Sequence, residues 1–203
     1  MTGAKVALAI VAWLGLLGGG LGVALHYEST PGASPDKEAP RQWPAGVLER
    51  TPGKATLVMF AHPKCPCTRA SIAELAELME RLGDTADAYV LFIRPIDTPE
   101  GWEKSSSWAS AERIPHVRVK TDADGVLAKA FGAKVSGYTV LYDVSGNEVF
   151  SGGITSGRGH IGDNEGVTLI RSLVRGERTE HATTPTFGCE LEDPTTGEAE
   201  ARP

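Results

Sequence analysis

The fold of this chain is decided by the stretch ATLVMFAHPKCPCTRASIAELAELMERLG, residues 55–83, where a strand pattern passes directly into a helix pattern. Residues 55–61 form a short, continuous apolar run, which is typical of a buried strand. After the cysteines, apolar residues recur at helical spacing up to the final glycine, and polar residues such as Glu74 take the other face. Cys65 and Cys67 therefore fall at the junction between a predicted strand and a predicted helix.

This position suits thiol chemistry. A helix N-terminus presents unpaired amide donors and a partial positive charge, which stabilise a thiolate and lower the pKa of its cysteine. Pro66 suits the turn that opens the helix. The third cysteine, Cys189, lies far away in the C-terminal tail, and an odd number of cysteines leaves at least one thiol free or paired with another molecule.

Further strands and helices are predicted from the same strand and helix patterns. Their order predicts parallel strands joined by right-handed crossovers, with an antiparallel edge. The expected fold is α/β, a central mixed sheet flanked by helices. After the first strand and helix, we predict strand 88–93, helix 102–112, strand 116–120, helix 126–131, a hairpin of strands 139–142 and 148–150, and helix 167–174.

The N-terminal segment is expected to be a transmembrane helix. From Val6 to Leu25 no residue is charged, and about 20 apolar residues at helical rise cross a hydrocarbon core. An uncleaved signal anchor is favoured over a cleaved signal peptide, whose apolar region is usually shorter. Lys5 favours the N-terminus inside and the remainder extracytoplasmic, in the periplasm or its equivalent, where disulfides persist.

Composition divides the chain into four predicted parts. Residues 1–27 are the membrane anchor, and residues 28–44, rich in proline, serine and charge, are expected to be a flexible tether. The folded domain is expected at 45–180, followed by a tail, 181–203, that carries Cys189. The formal net charge of −6 excludes a broad basic surface, so we expect no nucleic-acid partner.

The cysteine region resembles the active site of thioredoxin-like proteins, in particular membrane-anchored thiol–disulfide oxidoreductases of the TlpA and ResA type. With Cys65 as the first cysteine of their Cys-x-x-Cys motif, Arg69 and Leu75 match positions that often hold Arg and Leu in that family. Thr68 replaces the second cysteine, and the second thiol stands one residue closer, at Cys67. The resemblance implies a thioredoxin-like fold and redox exchange with protein thiols or disulfides.

A closer resemblance, to thioredoxin-like proteins named RedB, extends over FAHPKCPCTRASIAEL, LYDVSGNEVFSGGI, SGRGH and the tail TPTFGCEL. The chain departs from the wider family in two respects. The cis-proline that usually faces the cysteines is replaced by Gly137, which would leave room for a substrate or ligand, and no buried carboxylate is evident in the first strand. His62 and His160 are then the candidates for proton transfer. The expected substrate groove comprises Pro66, Ser136, Gly137 and His160.

Our leading hypothesis is an oxidoreductase in which Cys65 attacks and either Cys67 or Cys189 resolves the mixed disulfide, without a cofactor. A bridge between Cys65 and Cys67 would close a small, strained ring and so be oxidising. With Cys189 as the resolving thiol, the tail would lie over the site, which would explain the apolar Phe187.

Three alternatives remain. In one, the chain is a carrier of copper or zinc, because thiolates and imidazoles bind Cu(I) and Zn(II), and Sco-type copper chaperones show that the fold can do this. In another it is a thiol peroxidase, although the peroxiredoxin motif is not matched. In the third the cysteines are inert or form a purely structural bridge. The metal-binding alternative would use His62, Cys65, Cys67, His160 and Cys189.

Overall fold

The computed structural model of the protein describes residues 3–35, 37–178 and 180–192. Its first element is helix α1, Gly3–Ser29, in which no residue is buried. Helix α1 has the length and the apolar composition needed to cross a membrane, and as an N-terminal segment it would also be compatible with a signal sequence.

Six strands form one mixed sheet in the order β3-β2-β1-β4-β5-β6. Strand β1 pairs in parallel with β2, and β2 with β3, whereas β4 is antiparallel to both β1 and β5. The short β6 runs parallel to β5 at the edge. The strands are β1 Ala55–Ala61, β2 Ala86–Arg94, β3 Val117–Ala123, β4 Thr139–Tyr142, β5 Glu148–Gly152 and β6 Ala182–Thr183.

Helices cover both faces of this sheet. The helices after α1 are α2 Thr68–Leu82, α3 Ser106–Ala111, α4 Val126–Phe131 and α5 Glu165–Val174. Helices α2, α3 and α5 contribute to one apolar cluster, and α4 contributes to a second. Strand β1 supplies both clusters, because alternate residues of a strand point to opposite faces: Met59 enters the first and Phe60 the second.

A β-α-β unit, β1-α2-β2, thus shares one sheet with a β-β-α unit, β4-β5-α5, and the segment α3-β3-α4 is inserted between them. This is the thioredoxin-like fold, as the sequence predicts. Because the parallel strands β1 and β2 end at the same edge, the cysteines after Ala61 lie at the carboxyl end of the central strands.

Local differences from the predictions have local causes. The helix expected over 102–112 is limited to α3 because the Ser105 side chain accepts a hydrogen bond from the Trp108 amide and begins the helix there. Strand β6, only two residues long, was not predicted, because so short a segment shows no periodicity. Glu74, expected on the polar face of α2, is buried.

The segment expected to be a flexible tether lies along the domain. Ala39 is buried, and the Tyr142 hydroxyl donates a 2.8 Å hydrogen bond to the Pro40 carbonyl. The Trp43 ring packs edge-on against that of Tyr142, with 5.0 Å between the ring centroids. The few apolar residues of this proline-rich stretch thus extend the cluster on the α4 side, so the part nearest the domain packs on its surface.

Candidate functional site

The three cysteines come together at the carboxyl end of β1. Cys65 and Cys67 are buried in the turn that leads into α2, and Cys189 is half-buried beside them. The backbone amide of Cys189 donates a hydrogen bond to the Sγ of Cys65 over 3.4 Å. All three are free thiols in the structure. The fold therefore joins a local cysteine pair to a third cysteine from the tail.

A tight turn positions the local pair. The Cys65 amide donates to the His62 carbonyl over 3.2 Å, and the Thr68 amide donates to the Cys65 carbonyl over 3.1 Å. Helix α2 begins directly after Cys67, whose side chain makes no capping hydrogen bond. Both sulfurs consequently lie close to the helix N-terminus, where the peptide dipoles favour negative charge. Pro66 lies between them and lines the cavity that opens beside Cys67.

The tail is held over the turn by backbone pairing. The Ser136 amide donates to the Cys189 carbonyl over 2.8 Å, and the Leu191 amide donates to the Lys134 carbonyl over 2.7 Å. Phe187, a residue of the tail, is buried. At Gly188 the approach is so close that a Cβ atom would lie 2.0 Å from the Ser136 carbonyl oxygen. The groove next to Ser136 is thus occupied by the chain's own tail.

Ser136 and Gly137 pack against the cysteine turn and the start of α2, and they leave no open groove there. The Ser136 hydroxyl accepts a hydrogen bond from the His62 amide at 2.9 Å and lies 2.7 Å from the hydroxyl of Thr68. Gly137 has a φ of +93° and donates to the Phe60 carbonyl, and a Cβ atom there would lie 2.7 Å from the Ser71 hydroxyl oxygen. The room expected at Gly137 is therefore filled by Ser71.

The two histidines lie in different surroundings. The ring of His62 is buried, its Nδ1 accepts a 3.2 Å hydrogen bond from the Lys64 amide, and it packs edge-on against Trp102. His160 is exposed, and its Nε2 lies 3.4 Å from a carboxylate oxygen of Glu28 at the end of α1. The structure thus places His62 in the cysteine turn and His160 on the outer loop.

The sulfur cluster is electrostatically asymmetric. Hydrogen bonds from the thiols of Cys189 and Cys67 hold the pKa of Cys65 far below its usual range, against the opposing effect of burial. The pKa of Cys189 is raised by its hydrogen bonds to Cys65 and Cys67 and by burial. The hydrogen bond with Cys189 lowers the pKa of Cys67. The hydrogen bond with Cys65 and burial outweigh this effect, so the pKa of Cys67 is raised. Among the three cysteines, Cys65 is therefore the one whose lowered pKa favours the thiolate form, with the other two as thiol donors to it.

Two polar residues of the site were missed in the sequence. Glu74, two turns along α2, accepts a 2.6 Å hydrogen bond from the Gly162 amide and a 3.0 Å hydrogen bond from the Asn164 side chain. It thereby fixes the loop that follows β5. Arg158 on that loop donates a 2.5 Å hydrogen bond to the Gly188 carbonyl. The helical spacing placed Glu74 on the polar face of α2, and no pattern singled out Arg158, because both residues act through contacts with remote segments.

A cavity of about 590 Å³ opens beside the cysteines. The walls of the cavity include Tyr27, Pro66, Cys67, Arg69, Arg158 and Cys189.

The residues expected to bind a metal in the alternative hypothesis do not form one ligand set. Within residues 3–35, 37–178 and 180–192, no three His, Cys, Asp or Glu side chains form a group that could hold a metal ion.

Solved structures share this architecture at low sequence identity. A hypothetical protein from Sinorhizobium meliloti 1021 is 22% identical, with a TM-score of 0.56, and the match covers 69% of this chain and 80% of that one. An uncharacterized conserved protein from Geobacillus kaustophilus is 20% identical, with a TM-score of 0.57, and the match covers 80% of this chain and 92% of that one.

A third structure is that of a secreted Mycobacterium tuberculosis disulfide oxidoreductase, which is 15% identical with a TM-score of 0.43, over 62% of this chain and 83% of that one. No protein-family model matches the chain, and no curated protein matches it. At 22% and 20% identity, the likeness to the first two structures extends to the fold alone. The chain has a thioredoxin-like fold, and its chemistry has to be inferred from its own cysteines.

Proposed function

We propose that this protein is a membrane-anchored, extracytoplasmic thiol–disulfide oxidoreductase, of the TlpA and ResA type, that acts on protein thiols or disulfides through its Cys-Pro-Cys motif. The observation that carries the proposal is the approach of Cys189 to Cys65, with a backbone hydrogen bond to the Cys65 sulfur. A lowered pKa makes Cys65 the nucleophile, and two further thiols stand ready to resolve a mixed disulfide.

The exchange follows from these roles. The Cys65 thiolate attacks one sulfur of a partner disulfide, forms a mixed disulfide with it and releases the other partner sulfur as a thiolate. A second cysteine of the chain then loses its proton to that thiolate or to water and attacks the Cys65 sulfur. The mixed disulfide breaks, and the second partner sulfur leaves. Two electrons pass from the chain to the partner, and the reverse sequence oxidises a partner dithiol.

Cys189 is the resolving cysteine in this proposal. Its amide and its thiol both hydrogen-bond the Cys65 sulfur, so the second nucleophile is already next to the atom it must attack. Cys67 is the alternative, but its disulfide with Cys65 would close a small, strained ring. The tail would then be part of the catalytic machinery, which fits the resemblance of TPTFGCEL to proteins named RedB.

The anchor and the compartment belong to the same proposal. The composition of α1 is compatible with a membrane anchor or a signal sequence. An oxidising, extracytoplasmic compartment would allow the disulfide form of the site to persist. The thiol pair would then cycle between states without a cofactor.

The test is thiol counting on the full-length, metal-free protein in glutathione buffers of defined potential. We expect intact-mass analysis after alkylation, with disulfide mapping, to show a reversible bridge between Cys65 and Cys189, and Cys65→Ser to abolish exchange while the protein stays folded. Three thiols that stay free in every buffer would overturn the redox proposal. If they become protected only with copper or zinc added, the chain is a metal carrier instead.

A further inference from the structure

We infer that the face carrying the three cysteines lies against the anionic headgroup layer of the membrane, so that the cavity beside them opens at the lipid surface. The inference rests on the anchoring proposed above and goes beyond the redox chemistry. It concerns which surface the site meets, and therefore which partners can reach it.

The position of the anchor's end is the first observation. The uncharged apolar run ends at Leu25, and about 20 such residues span a hydrocarbon core, so the boundary of the core falls there. Tyr27 and Glu28 follow directly, in the interfacial layer where tyrosine is enriched. Both residues line the same cavity as Cys67 and Cys189. The site is thus within a few residues of the hydrocarbon boundary.

Hydrogen bonds and a cation–π contact connect the end of the anchor to the domain. The Arg158 amide donates a 3.0 Å hydrogen bond to the Glu28 carbonyl, and the Arg158 guanidinium lies over the Tyr27 ring, 4.8 Å from its centroid. Farther along, the Gly32 amide donates to the Thr186 carbonyl over 2.8 Å, and a Cβ atom at Gly32 would lie 2.6 Å from a methyl carbon of Val135. These contacts brace the anchor's end against the cysteine face.

The rest of α1 points away from the domain. No residue of Gly3–Ser29 is buried, so the helix meets the domain only at its carboxyl end. When α1 spans a bilayer, the cysteine face is consequently the part of the domain nearest to the lipid. The turn between β4 and β5, which carries Val144, lies at the opposite end of the sheet, because β4 runs antiparallel to β1.

The surface around the cavity is suited to contact with an anionic lipid surface. Arg69 and Arg158 provide positive charge, which attracts anionic lipid headgroups, and Ile161 exposes 65% of its surface beside them. Among the described residues that line the cavity, Glu28 is the only acidic one, and its carboxylate faces His160.

A consequence is selective access. Small thiols and cysteines held at the membrane surface could approach Cys65, whereas bulky soluble molecules would be excluded by the bilayer. The prediction concerns geometry, so it can be tested without any redox activity.

The experiment uses the full-length chain, with its three cysteines replaced by serine, in vesicles of phosphatidylethanolamine and phosphatidylglycerol with the domain outside. One variant adds Ile161→Cys at the cavity, and the matched control adds Val144→Cys, an apolar position of similar exposure at the far end. Each is labelled with a small maleimide and with a polymer-linked maleimide larger than the domain. We expect the small reagent to label both, and labelling by the bulky reagent to be lost at position 161 and kept at position 144.

A long Gly-Ser spacer inserted between His26 and Tyr27 leaves the contacts of Tyr27 and Glu28 with Arg158 inside the domain. It should restore bulky labelling at position 161, because it separates the domain from the lipid. Equal labelling of both positions by the bulky reagent in the chain without the spacer would overturn the inference. Protection at position 161 that survives the spacer at high salt, which screens the attraction of Arg69 and Arg158 to the headgroups, would overturn it as well, since the lipid surface would then not be its cause. Because these variants lack the native thiols, neither result bears on the oxidoreductase proposal.

Discussion

The amide of Cys189 lies 3.4 Å from the sulfur of Cys65, a hydrogen bond between residues 124 positions apart in the chain. It makes the tail a wall of the site. A thiolate at Cys65 receives this backbone donor together with the thiols of Cys189 and Cys67, and the tail therefore influences the charge of the nucleophile as well as its access.

Alkylation of Cys65 in the reduced protein should be nearly independent of pH. An ordinary thiol with a pKa of about 8.5 loses reactivity roughly tenfold per pH unit below that value, whereas Cys65 stays ionised because its pKa is lowered. The ionised sulfur also stabilises the reduced fold above its unfolded-state pKa, and this stabilisation is lost as the pH falls through the lowered value. Iodoacetamide kinetics followed by mass spectrometry from about pH 8 to about pH 5 measure the reactivity.

The control for this titration is Cys189→Ala, which removes the main thiol donor to Cys65 and keeps the backbone amide. We expect the pKa of Cys65 to move back towards its usual range in this variant. A wild-type profile that already titrates like a free cysteine would contradict the proposed ionisation of the cluster.

Cys189→Ala should also trap the mixed disulfide with a peptide disulfide, because the resolving thiol is missing. Cys67→Ala should turn over, since Cys189 remains beside the Cys65 sulfur. Intact-mass analysis after acid quenching identifies the trapped species. The reverse pattern, with trapping only in Cys67→Ala, would make Cys67 the resolving residue and the tail a cover.

Gly188→Ala should lift the tail from the site. The new Cβ atom would lie 2.0 Å from the Ser136 carbonyl oxygen, so the backbone has to move, at a cost of about 1–3 kcal/mol. We expect faster alkylation of Cys189 and slower resolution of the mixed disulfide. Glu190→Ala, a neighbouring substitution at an exposed side chain, is the matched control and should change neither rate. Unchanged Cys189 reactivity in Gly188→Ala would show that the tail tolerates the methyl group in place.

Glu74→Gln should destabilise the fold by about 1–3 kcal/mol, because the amide offers one acceptor oxygen where the carboxylate accepts from both Gly162 and Asn164. Denaturant unfolding of the reduced protein measures the change in the free energy of unfolding. Glu80→Gln, on the exposed side of α2, serves as the control and should be close to neutral. Equal effects of the two substitutions would mean that the buried carboxylate does not hold the loop.

Much of the fold could be predicted because periodicity is a local property. The apolar run of β1, the amphipathic spacing of α2 and the short helix α4 depend on residues close together in the chain, and the structure confirms these elements. The placement of Cys65 and Cys67 at a strand-to-helix junction follows from the same local patterns. The start of α3 could not be predicted in this way, because one serine side chain decides where that helix begins.

The sequence by itself thus determined a thioredoxin-like sheet with two cysteines at the end of its first strand. Only the tertiary structure decided that Cys189 meets Cys65, that Glu74 is buried, and that the end of α1 borders the cavity. These features join segments that lie far apart in the chain. Their contacts depend on the path of the whole backbone and on the space between packed elements, and no periodicity within either segment records them.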